Sequence, residues 1–523
     1  GGTDTGTITI TIVDNTAPAV TNLGFDGTDI AFNSDEPGTA EVAGASNNNN
    51  TGINVSGNLN TFTPAAEDSV VTGTLDVTDD AVNTGSSDGL VGLGTSGDDP
   101  TEIDGGSNDD VLFGFGGDDT ITGGAGDDTL IGGAGDDRLV FAAGEFDGSD
   151  TVDGGDGNDT LVLNDAAQTA SDINKAATNI EVLETADNTD IVIGTGGVTA
   201  VDQLVTTAAV TGTDGSFGPG KANGTAGVAF TATDGGEALT AKANITGGDG
   251  LSAGAPGDGA AGISHAGTST TFDITLNDAT VTGGAGGGSI ASDGDGGDGL
   301  AAGSVTTLNI TSDGSSGNAF VGGAANGAGI TVATDAKINV NGENDIDLGT
   351  LVGTDVEVAA SALEGDLTVT GEAGDNEITG GSGADDIDGG SGNDTITGGG
   401  GADTLTGGTG DDTFVFGNGD VVNGETVTDT AGTTTLSTSG NAEDVDFSDL
   451  ADGDGGALDQ VDQVLIDSDQ TATFTGAQLT GEDIVFNEDA DDGNTTLDID
   501  VTGTTPVDFA SLDLTTSFDG NNG

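Results

Sequence analysis

Aspartate residues recur every nine positions in two segments of this 523-residue chain, and their spacing is the feature that could do chemistry. Each Asp follows five glycine-rich residues and precedes three residues with one apolar member, so it takes the sixth place of a nonapeptide. The sixth-place residues are Asp110, Asp119, Asp128, Asp137 and Asp159 in the first segment and Asp385, Asp394, Asp403 and Asp412 in the second. Carboxylates at fixed spacing favour binding of a hard cation.

A six-residue glycine-rich turn followed by a minimal strand predicts a coil in which two nonapeptides make one turn of about 18 residues. In such a coil Leu112, Ile121, Leu130 and Leu139 point inward as a stacked aliphatic column, and equivalent turns belong to repeats n and n+2. The predicted carboxylate pairs are Asp110 with Asp128, Asp119 with Asp137, Asp385 with Asp403 and Asp394 with Asp412. Two carboxylates so close repel by up to about 4 kcal/mol at an effective dielectric constant of 20, so we expect a cation between them.

The predicted ligands are all oxygens, namely two carboxylates and turn carbonyls around the second and fourth places of each repeat. The glycines at these places are Gly124, Gly126, Gly133, Gly135, Gly390, Gly392, Gly399, Gly401, Gly408 and Gly410. This ligand set selects Ca²⁺ before Mg²⁺, with two sites in each segment. The alternative is that these Asp residues only form solvated turns.

Several residues depart from the pattern. Asn376 replaces a sixth-place Asp, so its pairing with Asp394 should bind a cation weakly or not at all. Phe115 and Asn108 replace preferred glycines, which leaves the outer edge of the first segment in question. The repeat at 154–162 begins 22 residues after the preceding one and is predicted to be out of phase.

The nonapeptide Gly-Gly-x-Gly-x-Asp-x-aliphatic-x, as in 123–131 and 132–140, resembles the repeat of the RTX (repeats-in-toxin) family. The resemblance implies a calcium-binding β-roll that is disordered at low cytosolic calcium and folds after type I secretion. The family includes proteases, lipases, toxins, adhesins and surface-layer proteins, so the fold does not settle the function. Segments 158–163 with 179–183, and 359–370, are similar to calcium-dependent surface-layer proteins of Gram-negative bacteria.

The remaining segments alternate like strands, which predicts an all-β chain whose rolls continue a parallel β-solenoid. Residues 15–89 resemble a bacterial immunoglobulin-like β-sandwich, and the chain begins without Met, so we expect it to be part of a longer product. The predicted divisions are 1–14 as the end of a preceding β module, 15–89 as the Ig-like module, 94–165 as the first roll, 166–370 as a β-solenoid with glycine-rich loops, 371–415 as the second roll and 416–523 as a β-rich region.

Similar segments at 271–275 and 307–311 recur 36 residues apart, as a solenoid coil requires. Residues 212–270 are the poorest in periodicity, so a flexible linker is the alternative there. The glycine-rich tracts 283–303 and 316–329 are predicted to be either pairing surfaces or loops.

The amino-acid composition narrows the range of possible partners and functions. With 91 acidic against 5 basic residues the formal charge is -86, which excludes nucleic acid and anionic membranes as partners. Cys is absent, and the single His265 is predicted to be a loop residue without a catalytic role. Four calcium ions would neutralise about 8 of the 86 charges. Either further sites lie in Asp-rich loops such as 98–99 and 489–492, or the protein works at high ionic strength.

The favoured function is a secreted, non-enzymatic structural protein at the surface of a Gram-negative cell. It is expected to assemble with copies of itself through calcium into a layer or fibre, without membrane insertion and with a cell-surface glycan as a candidate anchor. The alternative is a segment of a large RTX adhesin, which would stay monomeric and bind a ligand. An enzyme that carries RTX repeats is the third possibility.

Overall fold

The protein is represented by a computed structural model. It describes residues 20–25, 30–42, 53–62, 71–79, 84–99, 101–164, 170–185, 191–193, 203–206, 210–211, 228–230, 238–241, 245–246, 263–265, 271–277, 279–282, 298–321, 329–438, 444–450, 458, 460–467, 470–480, 482–488 and 496–500. The predicted end of a preceding β module at 1–14, the acidic segment 489–492 and most of 212–270 lie outside these residues. The chain divides into two compact units, one of Gly1–Asp187 and Val198–Val201 and the other of Asn188–Gly197 and Asp202–Gly523.

The first unit begins with antiparallel strands. Their bounds are Val20–Phe25, Ile30–Val42, Ile53–Phe62, Val71–Asp79 and Thr84–Leu93. Ile30–Val42 pairs antiparallel with three of the others, and Ile30 and Phe32 are buried. The strand Thr84–Leu93 then pairs in parallel with the first roll, Val91 lying opposite Val111. The immunoglobulin-like assignment of 15–89 stays a prediction.

The first roll consists of parallel strands in two sheets, with alternate strands in the same sheet. The strands are Ile103–Gly106, Val111–Phe113, Thr120–Gly124, Thr129–Ala134, Arg138–Phe141, Thr151–Asp156, Thr160–Leu163, Ala177–Thr178 and Val182–Thr185, with one short helix at Ala170–Ala176. Leu112 lies opposite Leu130 in one sheet and Ile121 opposite Leu139 in the other, and all four are fully buried. The inward aliphatic positions are confirmed, as two columns rather than one.

The prediction that the repeat at 154–162 is out of phase was wrong. Parallel pairing sets Gly155 opposite Gly133, so this repeat continues the column of the repeat before it. The coil that precedes it absorbs four extra residues in a turn after Phe141, and Val152 returns to the position opposite Leu130. The register is restored because the aliphatic side chain must re-enter the core.

The second unit contains a parallel solenoid whose coils shorten along the chain. Its strands before the second roll are Ile191–Ile193, Gln203–Thr206, Val210–Thr211, Val228–Phe230, Ala238–Ala241, Ile245–Thr246, Ile263–His265, Thr271–Asn277, Thr280–Thr282, Leu300–Ala302, Thr307–Asp313, Asn318–Val321, Ile330–Val332, Lys337–Gly342, Ile346–Val352, Glu357–Leu363 and Leu367–Thr370. Thr271 pairs with Thr307, which confirms the 36-residue coil. His265 ends a strand and does not lie in the predicted loop, because Ile263 is needed in the buried column.

The solenoid changes from three faces to two at Ile346–Val352. Its first half pairs with Asn318–Val321 and its second half with Ile330–Val332, so one strand continues two faces. The strand turns at Gly349, where φ is +64° and the backbone carbonyl of Phe320 leaves no room for a side chain. Coils of about 20 residues and then 18 follow, as the nonapeptides require.

The second roll follows without a break and leads into the C-terminal strands. The strands are Glu377–Thr379, Asp386–Ser391, Thr395–Thr397, Thr404–Thr409, Asp412–Phe416, Thr426–Thr428, Thr434–Thr438, Val445–Asp446, Gln463–Ile466, Thr471–Thr475, Val485–Glu488 and Thr496–Asp500. Ile378, Ile396, Phe414 and Leu436 form one buried column. Both rolls therefore rest on a narrow aliphatic core between two parallel sheets.

Candidate metal centre

Glycine shapes the turns at the second and fourth places of the nonapeptides. All ten predicted glycines have φ between +90° and +136°, a region that residues with side chains rarely adopt. A Cβ at Gly133 would collide with the carbonyl of Phe115, and one at Gly410 with the carbonyl of Gly392, one coil earlier. The turn carbonyls at these places are therefore stacked in columns along both edges of each roll.

The outer edge of the first roll keeps this geometry despite its departures from the pattern. Phe115 stands where glycine is preferred and has a φ of +74°. Its ring stacks on that of Phe113 with centroids 5.7 Å apart, a contact that helps to offset the backbone strain.

The nine sixth-place Asp residues are all at most 2% exposed, and they form hydrogen-bonded columns that we call the inner ladders. In each ladder one carboxylate oxygen, Oδ1, accepts the main-chain N–H of the residue one coil earlier. The four predicted pairs are joined in this way, with distances of 2.8 Å from Asp110 N to Asp128, 2.9 Å from Asp119 N to Asp137, 2.8 Å from Asp385 N to Asp403 and 2.8 Å from Asp394 N to Asp412.

The second carboxylate oxygen, Oδ2, is buried without a hydrogen-bond donor in eight of the nine residues. Asp385 is the exception, since its Oδ2 accepts the N–H of Gly381 at 2.8 Å. In several of the other residues a main-chain carbonyl lies near Oδ2. At Asp110, for example, a Cβ added to Gly105 would collide with both Asp110 Oδ2 and the carbonyl oxygen of Gly123. Buried acceptors without donors are costly, so the inner ladders favour a cation.

Burial raises the pKa of the inner-ladder carboxyls, and neighbouring carboxylates raise it further. The pKa is about 7 for Asp128, Asp137 and Asp385 and about 6 for Asp110, Asp119 and Asp412. Within the described residues, no group of three or more acidic or histidine side chains forms a ready-made metal cage. Main-chain carbonyls would have to complete the coordination, and an all-oxygen set of this kind suits Ca²⁺.

Asn376 makes the same inner-ladder hydrogen bond as the Asp residues, but none of its side-chain polar atoms is left without a partner. Its Oδ1 accepts the N–H of Val356 at 3.0 Å, and its Nδ2 donates to the carbonyls of Gly389 and Gly374 at 3.1 and 3.2 Å. The amide thus supplies the positive partner that an Asp would need from a cation. This contact gives a physical reason why the pair Asn376 and Asp394 is expected to bind a cation weakly or not at all.

A second set of hydrogen bonds, which we call the outer ladders, joins the fifth-place residues of successive coils. In these ladders the side chain belongs to the earlier coil and the N–H to the later one, the reverse of the inner ladders. Here the side-chain oxygen accepts the N–H of the following coil, as from Asn158 N to Asp136 at 2.8 Å. The predicted acidic loop 98–99 extends both ladders by one coil: Asp98 accepts the N–H of Asp118 at 3.0 Å, and Asp99 donates its N–H to Asp119 at 2.9 Å.

Sequence analysis missed three residues that continue the inner ladders beyond the nonapeptides. The main-chain N–H groups of Asp128, Asp159 and Asp403 donate to Asp150, Glu181 and Glu425 at 2.8, 2.8 and 3.0 Å. A usable signal was present at two of them. An acid, a Thr and an aliphatic residue stand in sequence at 150–152 and 425–427, as they do at 128–130.

A family model for the RTX calcium-binding nonapeptide repeat in four copies matches residues 93–130, 113–145, 146–165, 365–396 and 388–422. The matched segments of the two rolls are therefore RTX calcium-binding nonapeptide repeats. A search of curated proteins found no match to the chain. The matched ranges include Asp150 but end before Glu425.

The matched repeats indicate the broad class of the protein. RTX repeats bind calcium and are typical of secreted, extracellular proteins. The β-roll is generally a structural rather than a catalytic element. Among the described helices there is none with the length and apolar character to cross a membrane.

Proposed function

We propose that the sixth-place aspartates and the stacked turn carbonyls of both rolls hold Ca²⁺ and that the chain is a calcium-dependent structural protein. It would be secreted by a Gram-negative cell and assemble into a surface layer or an extracellular fibre. The observation that carries the calcium step is the set of eight buried Oδ2 atoms without donors. An ionised carboxylate column of this kind is costly unless positive charge lies beside it.

Calcium binding would be coupled to folding because the ligands come from successive coils. Each site held at about 100 times its Kd adds about 2.7 kcal/mol to the free energy of unfolding. Four sites would add about as much as the whole stability of a typical domain. The rolls would therefore lose most of their stability where calcium is scarce and be stably folded outside the cell.

The net charge of -86 supports calcium control of assembly. Copies that carry this charge repel one another at low ionic strength, and bound divalent cations reduce the repulsion. Stacked parallel coils also supply repetitive polar faces on which identical copies could associate. Calcium would then act twice, first on the fold and then on contacts between copies.

Light scattering and electron microscopy during a calcium titration from chelated to about 10 mM test the proposal. We expect ordered sheets or filaments to appear with calcium and to dissolve in chelator. NaCl at matched ionic strength should not produce them, because screening alone leaves the inner ladders without a cation. A folded monomer at every calcium concentration would reject self-assembly and favour an adhesin segment, and calcium-independent folding would reject the calcium role.

A further inference from the structure

Both rolls end in a coil of 22 residues with the same internal hydrogen bonds. In the first roll Glu145 accepts the N–H of Ala142 at 2.9 Å, and in the second Asp420 accepts the N–H of Gly417 at 2.5 Å. Each coil then returns an acidic side chain to the inner ladder. These two side chains are Asp150 and Glu425, and neither stands in a Gly-Gly-x-Gly-x-Asp segment.

The returning side chains are buried as deeply as the nonapeptide aspartates. Glu425 is 1% exposed and Asp150 is 3% exposed. Glu425 Oε2 accepts the N–H of Asp403, and Asp403 is itself fully buried with its Oδ2 atom lacking a donor. The first roll repeats this arrangement, because the Oδ2 of Asp128 also lacks a donor beside Asp150. The unpartnered oxygens of Asp403 and Asp128 thus lie next to the last coil of each roll, whereas Asp150 accepts an N–H at each of its oxygens, from Asp128 at 2.8 Å and from Asp147 at 2.7 Å.

No basic side chain of the described residues neutralises this end of the second roll. Arg138 pairs with Glu184, Lys337 with Glu357, and Lys175 donates to the carbonyl of Gly148. Glu425, Asp403 and Asp385 are each at most 1% exposed, so these carboxyl groups are buried in one hydrogen-bonded column. When they are ionised, their negative charge needs a bound cation.

We propose that Glu425 is a cation ligand that forms, with Asp403 and turn carbonyls, a further Ca²⁺ site at the C-terminal end of the second roll. Asp150 forms the corresponding site with Asp128 in the first roll. The inference rests on the proposed binding of calcium by the sixth-place carboxylates. It adds two acidic ligands that stand outside the Gly-Gly-x-Gly-x-Asp pattern, of which Glu425 also lies outside the matched repeats, and it gives the 22-residue coils the role of closing each roll.

The test is Glu425→Gln in the full chain, because glutamine keeps the oxygen that accepts the Asp403 N–H and removes the charge. Native mass spectrometry at saturating calcium counts the bound ions. We expect one ion fewer than in the unaltered protein. The matched control is Glu343→Gln, an exposed glutamate in the same unit, which should leave the count unchanged.

An unchanged ion count in a folded Glu425→Gln protein would overturn the proposal. Circular dichroism in calcium checks that the variant folds, and if it does not, Asp150→Asn repeats the test in the first roll with the same expected loss. Glu425→Asp keeps the carboxylate and should keep the ion. If the unaltered protein binds no calcium at all, the proposed function fails, whereas normal binding with no loss in either variant rejects only the two additional sites.

Discussion

The second roll and the longer coils at 298–350 close their turns with the same hydrogen bond but with different side chains. In the roll a buried Asp oxygen accepts the main-chain N–H of the previous coil, and its other oxygen is left without a donor. In the longer coils the buried Asn318 accepts the N–H of Ala279 at 2.7 Å and donates to Ser312 Oγ and to the carbonyl of Asp313 at 2.9 and 3.0 Å.

The difference distinguishes the side-chain property that closes a coil from the property that binds calcium. An amide closes the coil and satisfies its own polar atoms, so a carboxylate is not required for the hydrogen bond. Asn376 shows the same solution inside the second roll. The Asp residues therefore make folding conditional on a cation, while coils closed by Asn should fold without one.

The largest expected effect is the response of the two regions to calcium removal. Hydrogen exchange measured by mass spectrometry should show loss of protection throughout 101–164 and 371–425 after chelation, since several sites of about 2.7 kcal/mol each are lost. Peptides from 298–345 should retain more protection in the same sample. Equal protection with and without calcium in the rolls would contradict the distinction.

A smaller effect is expected from pH in the absence of calcium. The carboxyls of Asp385 and Asp412 have pKa values raised from 3.8 to about 7 and about 6 in the folded chain. Stability linked to their protonation is present below the unfolded pKa and is lost as pH rises through 6 to 7. Calcium-free protein should therefore melt at a higher temperature at about pH 5 than at about pH 8.

Thermal melting followed by circular dichroism checks this dependence, and saturating calcium is the control. Calcium should remove the advantage of low pH, because protons compete with the cation for the same carboxylates. A melting temperature without calcium that rises with pH would show that the buried carboxyls are not the controlling groups.

The next effect in size is expected from a single substitution, Asp412→Asn. Without calcium the variant should be more stable than the unaltered protein by about 1 to 3 kcal/mol, because an amide replaces a buried charge that lacks a partner. With calcium it should be less stable, because a ligand is lost. Urea unfolding with and without calcium measures both signs, and the same sign in both conditions would contradict the cation role.

Asn376→Asp is the converse change. It should remove the amide contact with the Gly389 carbonyl, lower stability in chelator by about 1 kcal/mol and add one calcium ion at saturation. Isothermal titration calorimetry and ion counting measure the added site. A variant that loses stability and gains no ion would show that a sixth-place carboxylate is insufficient for binding here.

The regular part of this arrangement could be predicted because every nonapeptide carries its own turn and its own inward aliphatic residue. That local consistency is enough to stack Asp403 on Asp385 and to turn Leu405 toward the core. Repeat spacing alone could not place Glu425, because its coil has four additional residues, although the residue types at 425–427 match those at 128–130. Its register depends on the pairing of Leu405 with Val427, a contact between coils that local spacing does not encode.

The change from three faces to two was also beyond sequence reasoning. It depends on one strand, Ile346–Val352, that pairs with two different strands of the preceding coil. Gly349 marks the bend, but glycine is so frequent in this chain that a single one carries little information.

The smallest effect is expected one residue away from the inner ladder, in Asp411→Asn. Asp411 is exposed on the outer ladder and accepts the N–H of Thr433 at 2.9 Å. Asn393 already fills the equivalent place one coil earlier and accepts the N–H of Asp411 at 2.8 Å. The substitution should change the free energy of unfolding by less than about 0.5 kcal/mol and leave the calcium count unchanged. Because Asp411 and Asp412 are adjacent and lose the same charge, a loss of calcium from both variants would mean that net charge, rather than burial on the inner ladder, decides where the ion binds.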